Sequence, residues 1–282
     1  MEIEAQDIFT EEWNTLIILD ACRYDFFEKV HRDYLSGTLE KRISPGSCTG
    51  EWLVRTFPDK YDIAYISANP YINSYGIPLQ KCNKKYNFSW RATDHFPLII
   101  DAWQFGWDEH LDTVPPLKVN EAYFSNKLAK KTVIHYIQPH APYLSLDSKI
   151  GSWRENKEIV QGKDSAKKDT LYSALRKRAN KELEDLIGRK GMWRLRKLLH
   201  KEPLSVIEWL WQEGSVEHIY YYYEDNLRQV LSSVAELIKE LSGKIIVTTD
   251  HGEAFGEQGI WGHPQKLRTP VLIEVPWFII NK

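Results

Sequence analysis

Two apolar segments of this chain each end in an aspartate, and these aspartates could do chemistry together. The segments are Asn14–Asp20 and Lys244–Asp250, and His251 follows the second one directly. Continuous apolar runs of this kind are typical of buried strands in parallel sheets, whose carboxyl ends meet at one edge. A single aspartate at a strand end could instead cap a helix or a turn. Because Asp20, Asp250 and His251 should converge, we predict a divalent metal site, where the imidazole favours zinc or manganese over calcium.

A hydroxyl-rich turn offers a nucleophile for ester chemistry at such a site. The segment Ser44–Trp52 reads Ser-Pro-Gly-Ser-Cys-Thr-Gly-Glu-Trp and leads into a helical pattern. Hydroxyls and backbone N–H groups at the start of a helix can bind an anion and present a nucleophile. The alternative is that Ser47 or Thr49 only caps the helix, and this segment alone leaves both roles open.

Five motifs, taken in their order along the chain, resemble those of the alkaline phosphatase superfamily. They are Leu19–Asp25, Ser47–Thr49, His140–Tyr143, Thr249–Glu253 and His263. The likeness is strongest to the sulfatase-like branch that contains phosphoethanolamine transferases and lipoteichoic acid synthases. In that branch, a final histidine follows the Asp-His-Gly-Glu motif at the spacing that His263 shows. The resemblance covers about residues 14–270 apart from a basic segment, and it implies a single α/β/α sandwich with a mostly parallel central sheet.

The resemblance also implies a reaction and its cofactor. Asp20, Asp250 and His251 would ligate the metal, which would be zinc or manganese and would number one or two ions. Thr49 would be both a ligand and the nucleophile, and it would form a covalent ester that water or an acceptor hydroxyl then releases. The implied function is a metal-dependent phosphoester, or sulfoester, hydrolase or phosphotransferase. The substrate would be a small-molecule or a lipid- or glycan-linked anionic ester.

Further motif residues would bind the substrate. His140 and His263 would hold phosphoryl oxygens, protonate the leaving group or help to bind a second metal. Arg23 could contact the substrate, or it could orient the Asp20 loop through a salt bridge with Asp25. Glu253 could orient a metal ligand as its hydrogen-bond partner.

Two departures from the family pattern concern the nucleophile. The sulfatase signature Cys-x-Pro-Ser-Arg is absent, because Cys48 is followed by Thr-Gly-Glu-Trp, and we therefore do not expect a formylglycine-type sulfatase. The relatives carry a serine three residues beyond the nucleophile, where this chain has Trp52. The alignment could therefore shift the nucleophile from Thr49 to Ser47 or Cys48.

Three polar residues stand in or after the other predicted strands. His135 lies inside an apolar segment, and we expect it to be a core histidine whose hydrogen bonds are satisfied. Asn69 and Asn73 follow the second predicted strand and could reach the substrate.

Alternating strand and helix patterns must position these residues. Further strands are predicted at 61–67, 132–138 and 270–280, and helices at 49–57, 118–130 and 216–241. This alternation indicates βαβ units and an α/β fold. We predict one catalytic domain over residues 1–282, with a basic helical insertion at 151–203.

The insertion accounts for an uneven distribution of charge. Between Lys149 and Lys201 there are 16 Lys and Arg against 7 Asp and Glu, although the whole chain has a net charge of −2. Its end, 191–211, reads as a basic amphipathic helix rich in tryptophan, which is typical of contact with a membrane surface or an anionic partner. The alternative is that it packs on its own domain. No nucleic-acid-binding motif accompanies the charge, so we expect no nucleic acid partner.

Composition excludes several other classes of protein. An apolar fraction of 43% and a charged fraction of 27% indicate a folded globular chain. No apolar run approaches the roughly 20 residues of a membrane span, and the acidic start carries no secretory signal. Three cysteines without a Cys-x-x-Cys spacing exclude a disulfide framework. We expect a cytoplasmic protein, with peripheral membrane contact left open. The alternative to an enzyme is an inactive relative that binds an anionic glycan or lipid head group.

Overall fold

The computed structural model describes residues 3–126, 128, 131–146, 158, 160–162 and 171–282, with the backbone alone for 171–179. Its strands are β1 (Glu4–Ala5), β2 (Thr15–Leu19), β3 (Thr38–Ile43), β4 (Ala64–Ser67), β5 (Leu98–Asp101), β6 (Thr132–Tyr136), β7 (Lys244–Thr248), β8 (Ala254–Phe255), β9 (Trp261–Gly262) and β10 (Glu274–Asn281). Its helices are α1 (Tyr24–Val30), α2 (Thr49–Thr56), α3 (Leu79–Cys82), α4 (Ala92–His95), α5 (Ala102–Phe105), α6 (Pro116–Asn126), α7 (Leu171–Leu198), α8 (Val206–Glu213), α9 (Val216–Glu240) and α10 (Pro270–Ile273), with 3₁₀ turns at His31–Asp33 and Glu257–Gly259.

The described residues form one large sheet with a small hairpin beside it. The sheet has eight strands in the order β1-β3-β10-β7-β2-β6-β4-β5, and β8 pairs with β9. Strand β10 runs antiparallel to both of its neighbours, whereas every other pair in the large sheet is parallel. The predicted α/β fold with a mostly parallel sheet is confirmed.

Helices cover both faces of the sheet. Successive residues of a strand point to opposite faces, so His135 and Tyr136 of β6 contact helices on opposite faces of the sheet. The ring of His135 lies against Trp52 of α2, with 6.4 Å between ring centroids. The hydroxyl of Tyr136 donates a hydrogen bond of 2.6 Å to Asn120 of α6. The helices therefore form the outer layers of a three-layer sandwich.

Most predicted elements are present, and the differences lie at the sheet margins. The last strand begins at Glu274 rather than 270, because Pro270–Ile273 forms a helical turn. Proline suits the first turn of a helix, where its missing N–H group costs no hydrogen bond. The strands Thr38–Ile43 and Leu98–Asp101 were not predicted. Each of them mixes exposed or half-buried positions with buried ones, so neither reads as a continuous apolar run.

The described part of the basic segment is helical. Helix α7 is interrupted at Gly188, whose φ of 71° lies in the left-handed region that favours glycine. Beyond this break, Trp193 is buried against Trp211 and Trp261. Residues 151–157, 159 and 163–170 lie outside the described residues, and the division into a domain 1–282 with an insertion 151–203 stays a prediction. No described helix combines the length and the apolar character that crossing a bilayer requires.

Candidate metal and catalytic site

Four neighbouring strands bring polar side chains to one edge of the sheet. Asp20 directly follows β2, and Asp250 lies two residues beyond β7. His135 belongs to β6, and Asn69 follows β4. Because β7, β2, β6 and β4 are adjacent and parallel, their carboxyl ends place these groups together.

Three of these side chains present buried atoms that have no hydrogen-bond partner among the described residues. The atoms are Oδ1 of Asp20, Oδ2 of Asp250 and Nε2 of His135. Each residue also offers one potential ligand atom to a group in which all atoms lie within 4.8 Å of one another. Buried polar atoms are normally hydrogen-bonded, because an unsatisfied one is costly. Two carboxylates and an imidazole are also a donor set that suits a divalent cation, so the residues fit the predicted metal.

His251 adds a fourth donor to this group. Its Nδ1 lies 2.8 Å from the carbonyl oxygen of Gly252 and is placed to donate to it. This leaves the lone pair on Nε2, which lies 3.3 Å from Asp250 Oδ2 and 3.8 Å from Asp20 Oδ1. A backbone carbonyl that fixes the tautomer in this way is characteristic of metal-binding histidines. Asp20, Asp250 and His251 thus converge as the sequence predicts.

The charges of this group are poorly compensated by protein atoms. Burial raises the pKa of Asp20 well above its ordinary value, and the charge of Asp250 adds to the effect. Burial acts on Asp250 in the same direction, but the adjacent imidazoles and the hydrogen bonds donated by Thr49 and the Ala21 N–H group favour its carboxylate, so the pKa of Asp250 is lowered. Burial also lowers the pKa of His135 to about 4, which keeps this imidazole neutral. A cation would remove the repulsion between the two carboxylates and use the neutral imidazoles as ligands.

Thr49 lies beside the metal ligands at the start of α2. Its Oγ1 is 3.3 Å from Nε2 of His251, and the residue is almost fully buried. The preceding Cys48 has an extended backbone, so the helix begins at Thr49 itself. The hydroxyl is therefore placed for chemistry at the metal site, and its hydrogen-bonding distance points to His251 rather than to the helix end.

The two alternative nucleophiles are occupied or inert. The hydroxyl of Ser47 has two acceptors for its one proton, the carbonyl oxygen of Pro264 at 2.8 Å and Oε2 of Glu51 at 3.1 Å. Burial raises the pKa of the Cys48 thiol to about 11, and a protonated thiol is a weak nucleophile. Trp52 is a core residue whose indole N–H donates to Gln6. The geometry therefore favours Thr49.

His140 and His263 form a second cluster with Glu253. Nδ1 of His263 lies 2.8 Å from Oε2 of Glu253, and the rings of His140 and His263 are 5.2 Å apart. The three side chains could also hold an ion, since their ligand atoms lie within 4.8 Å of one another. The ring of His263 lies 4.5 Å from that of His251, which joins this cluster to the first one.

The two histidines of this cluster have opposite proton affinities. Burial lowers the pKa of His140 to about 4. Burial acts on His263 in the same sense, but the carboxylate of Glu253 outweighs it and raises the pKa of His263. A readily protonated imidazole beside a neutral one suits a proton donor at this cluster.

Arg23 and Asn73 are engaged elsewhere. The guanidinium of Arg23 pairs with Asp25 at 2.7 Å and with Glu257 at 2.6 Å. Of its two possible roles, the geometry favours the ion pair that orients the Asp20 loop. Asn73 hydrogen-bonds the backbone of Ile77 and stabilises its own loop.

Three contributions were not assigned from the sequence. His135 is a core residue, as expected, but only its Nδ1 is satisfied, at 2.9 Å from the hydroxyl of Tyr65. Asn69 holds Asp20 through a 2.9 Å hydrogen bond to Oδ2. Asn226 of α9 donates to the carbonyl oxygens of Pro139 and His140 and so positions the His140 loop. A histidine within an apolar strand was the one available signal, and it becomes informative only once the neighbouring strands are known.

No protein-family model and no curated protein match this chain. Among solved structures, it is similar to the soluble domain of lipooligosaccharide phosphoethanolamine transferase A from Neisseria meningitidis, with a TM-score of 0.48 and 11% identity over 94% of this chain and 75% of that one. The integral membrane form of that transferase gives a TM-score of 0.46 and 11% identity over 98% of this chain, which spans only 49% of its length. A phosphonate monoester hydrolase from Silicibacter pomeroyi gives a TM-score of 0.42 and 12% identity over 96% of this chain and 68% of that one. Phosphoethanolamine transferases are also what the sequence motifs resemble.

Proposed function

We propose that this protein is a metal-dependent phosphoester hydrolase or phosphotransferase in which Thr49 forms a covalent intermediate. The observation that carries the proposal is a set of three buried ligand-type atoms, on Asp20, His135 and Asp250, that have no hydrogen-bond partner among the described residues. The Thr49 hydroxyl lies beside this set, because its Oγ1 is 3.3 Å from Nε2 of the neighbouring His251. A cation site with a hydroxyl beside it is the arrangement that metal-assisted ester cleavage needs.

Zinc or manganese would be held by Asp20, Asp250, His251 and Thr49, and His135 could be a further ligand. A bound divalent ion would supply positive charge that lowers the pKa of the Thr49 hydroxyl and offsets charge developing on the phosphoryl group. Asn69 keeps Asp20 in place through its hydrogen bond to Oδ2.

The chain's own residues supply the remaining chemistry. The Thr49 hydroxyl would release its proton to solvent when a cation is bound, and its oxygen would then attack phosphorus while the bond to the leaving oxygen breaks and His263 donates its own proton to that oxygen. His263 could then accept a proton from the water or alcohol that releases the phosphoryl group from Thr49. Nδ1 of His140 faces the carbonyl oxygen of Ala141, so Nε2 would donate a hydrogen bond to a phosphoryl oxygen only after taking up a proton, which the negative charge of a bound phosphoryl group favours. Sulfate esters present the same tetrahedral group and remain a second substrate class.

The second cluster also bears on the number of ions. If His140, Glu253 and His263 hold an ion, they would not transfer protons. The ion would instead stabilise the negative charge of the phosphoryl group. Metal content measured by mass spectrometry on the purified protein distinguishes these cases. One ion per chain supports proton transfer by His263, and two ions support a second metal.

Turnover of 4-nitrophenyl phosphate, bis(4-nitrophenyl) phosphate and 4-nitrophenyl sulfate, with added zinc or manganese, tests the reaction. We expect phosphoester turnover that stops in Thr49→Ala and is partly retained in Thr49→Ser. The matched control is Thr56→Ala, at the far end of the same helix, where the buried hydroxyl has no partner among the described residues. No bound metal and no turnover would support the alternative of an inactive protein that binds an anionic glycan or lipid head group. Full activity of Thr49→Ala would show that Thr49 is not the nucleophile.

We also propose that the protein is cytoplasmic and touches membrane surfaces through residues 191–211. Leu198 and Leu199 are 74% and 53% exposed and lie next to the cations Arg196 and Lys197. Exposed leucines among cations suit an anionic lipid surface. Co-sedimentation should favour anionic over neutral vesicles and weaken in a Leu198→Ser, Leu199→Ser double variant. Equal binding to both vesicle types, or none, would refute the contact, and cell fractionation tests the location.

A further inference from the structure

Two cavities meet beside the candidate catalytic site. The first, of about 410 Å³, is lined by Thr49 and His263 and is the catalytic cavity. The second, of about 460 Å³, lies against α7 and the loop that follows it, and we call it the α7 cavity. Only Lys85 and Arg189 line both cavities among the described residues. Both of these residues are cationic.

Arg189 is anchored to the element that carries His263. One of its terminal nitrogens donates a 3.3 Å hydrogen bond to the carbonyl oxygen of Trp261, two residues before His263. The break in α7 at Gly188 directly precedes Arg189 and sets the direction of the chain at this point. Trp193, four residues further on, packs on Trp261 with 4.5 Å between ring centroids. The α7 segment is thereby fixed against the rim of the catalytic cavity.

Arg189 keeps donors available for a ligand. Its Nε pairs with Glu184 at 2.8 Å, and the two side chains are 45% and 39% exposed. An exposed pair of this kind stabilises a protein only weakly. A guanidinium has five N–H donors, and its contacts with Glu184 and Trp261 use two of them. An anion could therefore bind Arg189 at little energetic cost.

Lys85 is held at the junction of the two cavities by its backbone. Its N–H group donates to Asn83 at 3.0 Å, and its carbonyl oxygen accepts from Gln265 at 2.8 Å. Its ammonium group forms no salt bridge with any described residue, and the residue lines both cavities. Lys85 and Arg189 are both cations at this junction, so an anion bound there would offset their charges.

We propose that Lys85 and Arg189 form a second anion subsite, at the junction of the catalytic cavity and the α7 cavity. This inference rests on the proposed function and adds the substrate class, which is an ester that carries a second anionic group besides the reacting phosphoryl group. The rest of the substrate extends into the α7 cavity, whose apolar lining includes Leu183, Met192 and Leu199. The two volumes fall in the range of about 300–1,000 Å³ that is typical of ligand sites.

The subsite is tested by direct binding, which does not depend on turnover. Calorimetry on the metal-loaded protein would compare propane-1,3-diol bisphosphate with propyl phosphate, which differ by one phosphate. We expect the bisphosphate to bind about tenfold more tightly, as a charge-assisted hydrogen bond commonly allows. Arg189→Gln and Lys85→Gln should each remove most of this preference and leave the affinity for propyl phosphate within about twofold, because these changes do not touch the first phosphate site.

The matched control is Arg194→Gln. This cation lies on the same helix, over the ring of Trp211, and lines neither cavity. It should keep the preference, and Arg189→Lys should keep part of it. Equal affinity of the unaltered protein for the two probes would overturn the subsite, as would an equal loss in Arg194→Gln, since that loss would reflect net charge alone. Preference for the bisphosphate without any turnover would support the subsite and contradict the proposed catalytic function. Turnover without the preference would support the catalytic function and contradict the subsite.

Discussion

The two clusters of ligand-type side chains in this site differ in how their charges are balanced. The metal cluster, Asp20, His135 and Asp250, is fully enclosed and leaves one atom of each residue without a partner among the described residues. In the histidine cluster, His263 is 29% exposed along its side chain and is paired with Glu253. We therefore expect a bound cation to balance the metal cluster, whereas the histidine cluster can be neutralised by a proton that the protein itself holds. Changes to the two clusters should separate metal binding from proton transfer.

The largest effect is expected from Asp250→Asn, in the metal cluster. Loss of a carboxylate ligand should remove the metal and lower kcat by about a thousandfold or more, because a metal commonly supplies several kcal/mol of transition-state stabilisation. Metal content and phosphoester turnover would be measured together. Activity lost while the metal stays bound would show that Asp250 is not a ligand.

A smaller loss is expected from His263→Gln, in the histidine cluster. Removing a general acid should lower kcat by about a hundredfold to ten-thousandfold, while one bound metal per chain is retained. The loss should be smaller for substrates with good leaving groups such as 4-nitrophenol, which need no proton. Loss of metal from this variant would contradict the division between the clusters and would support an ion bound at both of them.

His135→Gln tests whether the metal cluster includes the histidine that the sequence assigned to the core. We expect metal affinity to fall by about 10- to 100-fold, as is common when a group that supports a metal site is removed. The matched control is His31→Gln, another buried histidine, whose Nδ1 bonds the carbonyl oxygen of Phe27 far from the metal cluster. Equal effects of the two changes on affinity would mean that only general packing was lost.

The smallest effect concerns stability. In the metal-free protein, Asp20→Asn should raise the free energy of unfolding by about 1 kcal/mol, because it removes one of two repelling buried charges. In the metal-loaded protein the same change should lower it, since a ligand is lost. Asp101→Asn, at the end of β5, should destabilise both forms, because Asp101 accepts hydrogen bonds from Ser74 and Trp103. Denaturant titration with and without metal measures the free energy of unfolding of both variants. If Asp20→Asn changes that free energy in the same direction with and without metal, the result would argue against a bound cation.

The strands and helices that carry the motifs could be predicted because their patterns are local. Asp20 and Asp250 each end a continuous apolar run, and Thr49 begins a helix as expected. Helix α9 ends before Gly243, whose φ of 79° favours glycine. The edge and margin strands were missed, because partial exposure breaks the apolar run that marks a buried strand.

The partners of the motif residues could not be predicted in the same way. Asn69 was assigned to a loop that could reach the substrate, and the structure places it on Asp20. Asn226 lies in the middle of a helix, and the apolar periodicity of that helix gives no information about its polar residues. Asn226 nevertheless donates a hydrogen bond that holds the His140 loop. Both contacts join residues far apart in sequence, and no local spacing encodes them.

By itself, the sequence determined the α/β class, the strand-ending carboxylates and the hydroxyl at the start of a helix, because each follows from residues that are close together in the chain. The tertiary structure decided which strands are neighbours, and this order places His135 between Asp20 and Asn69 at the metal cluster. It also decided that Arg189 of the basic segment reaches the rim of the catalytic cavity. The physical reason is that a metal or anion site depends on distances of a few ångströms between side chains, and only the packing of distant segments sets those distances.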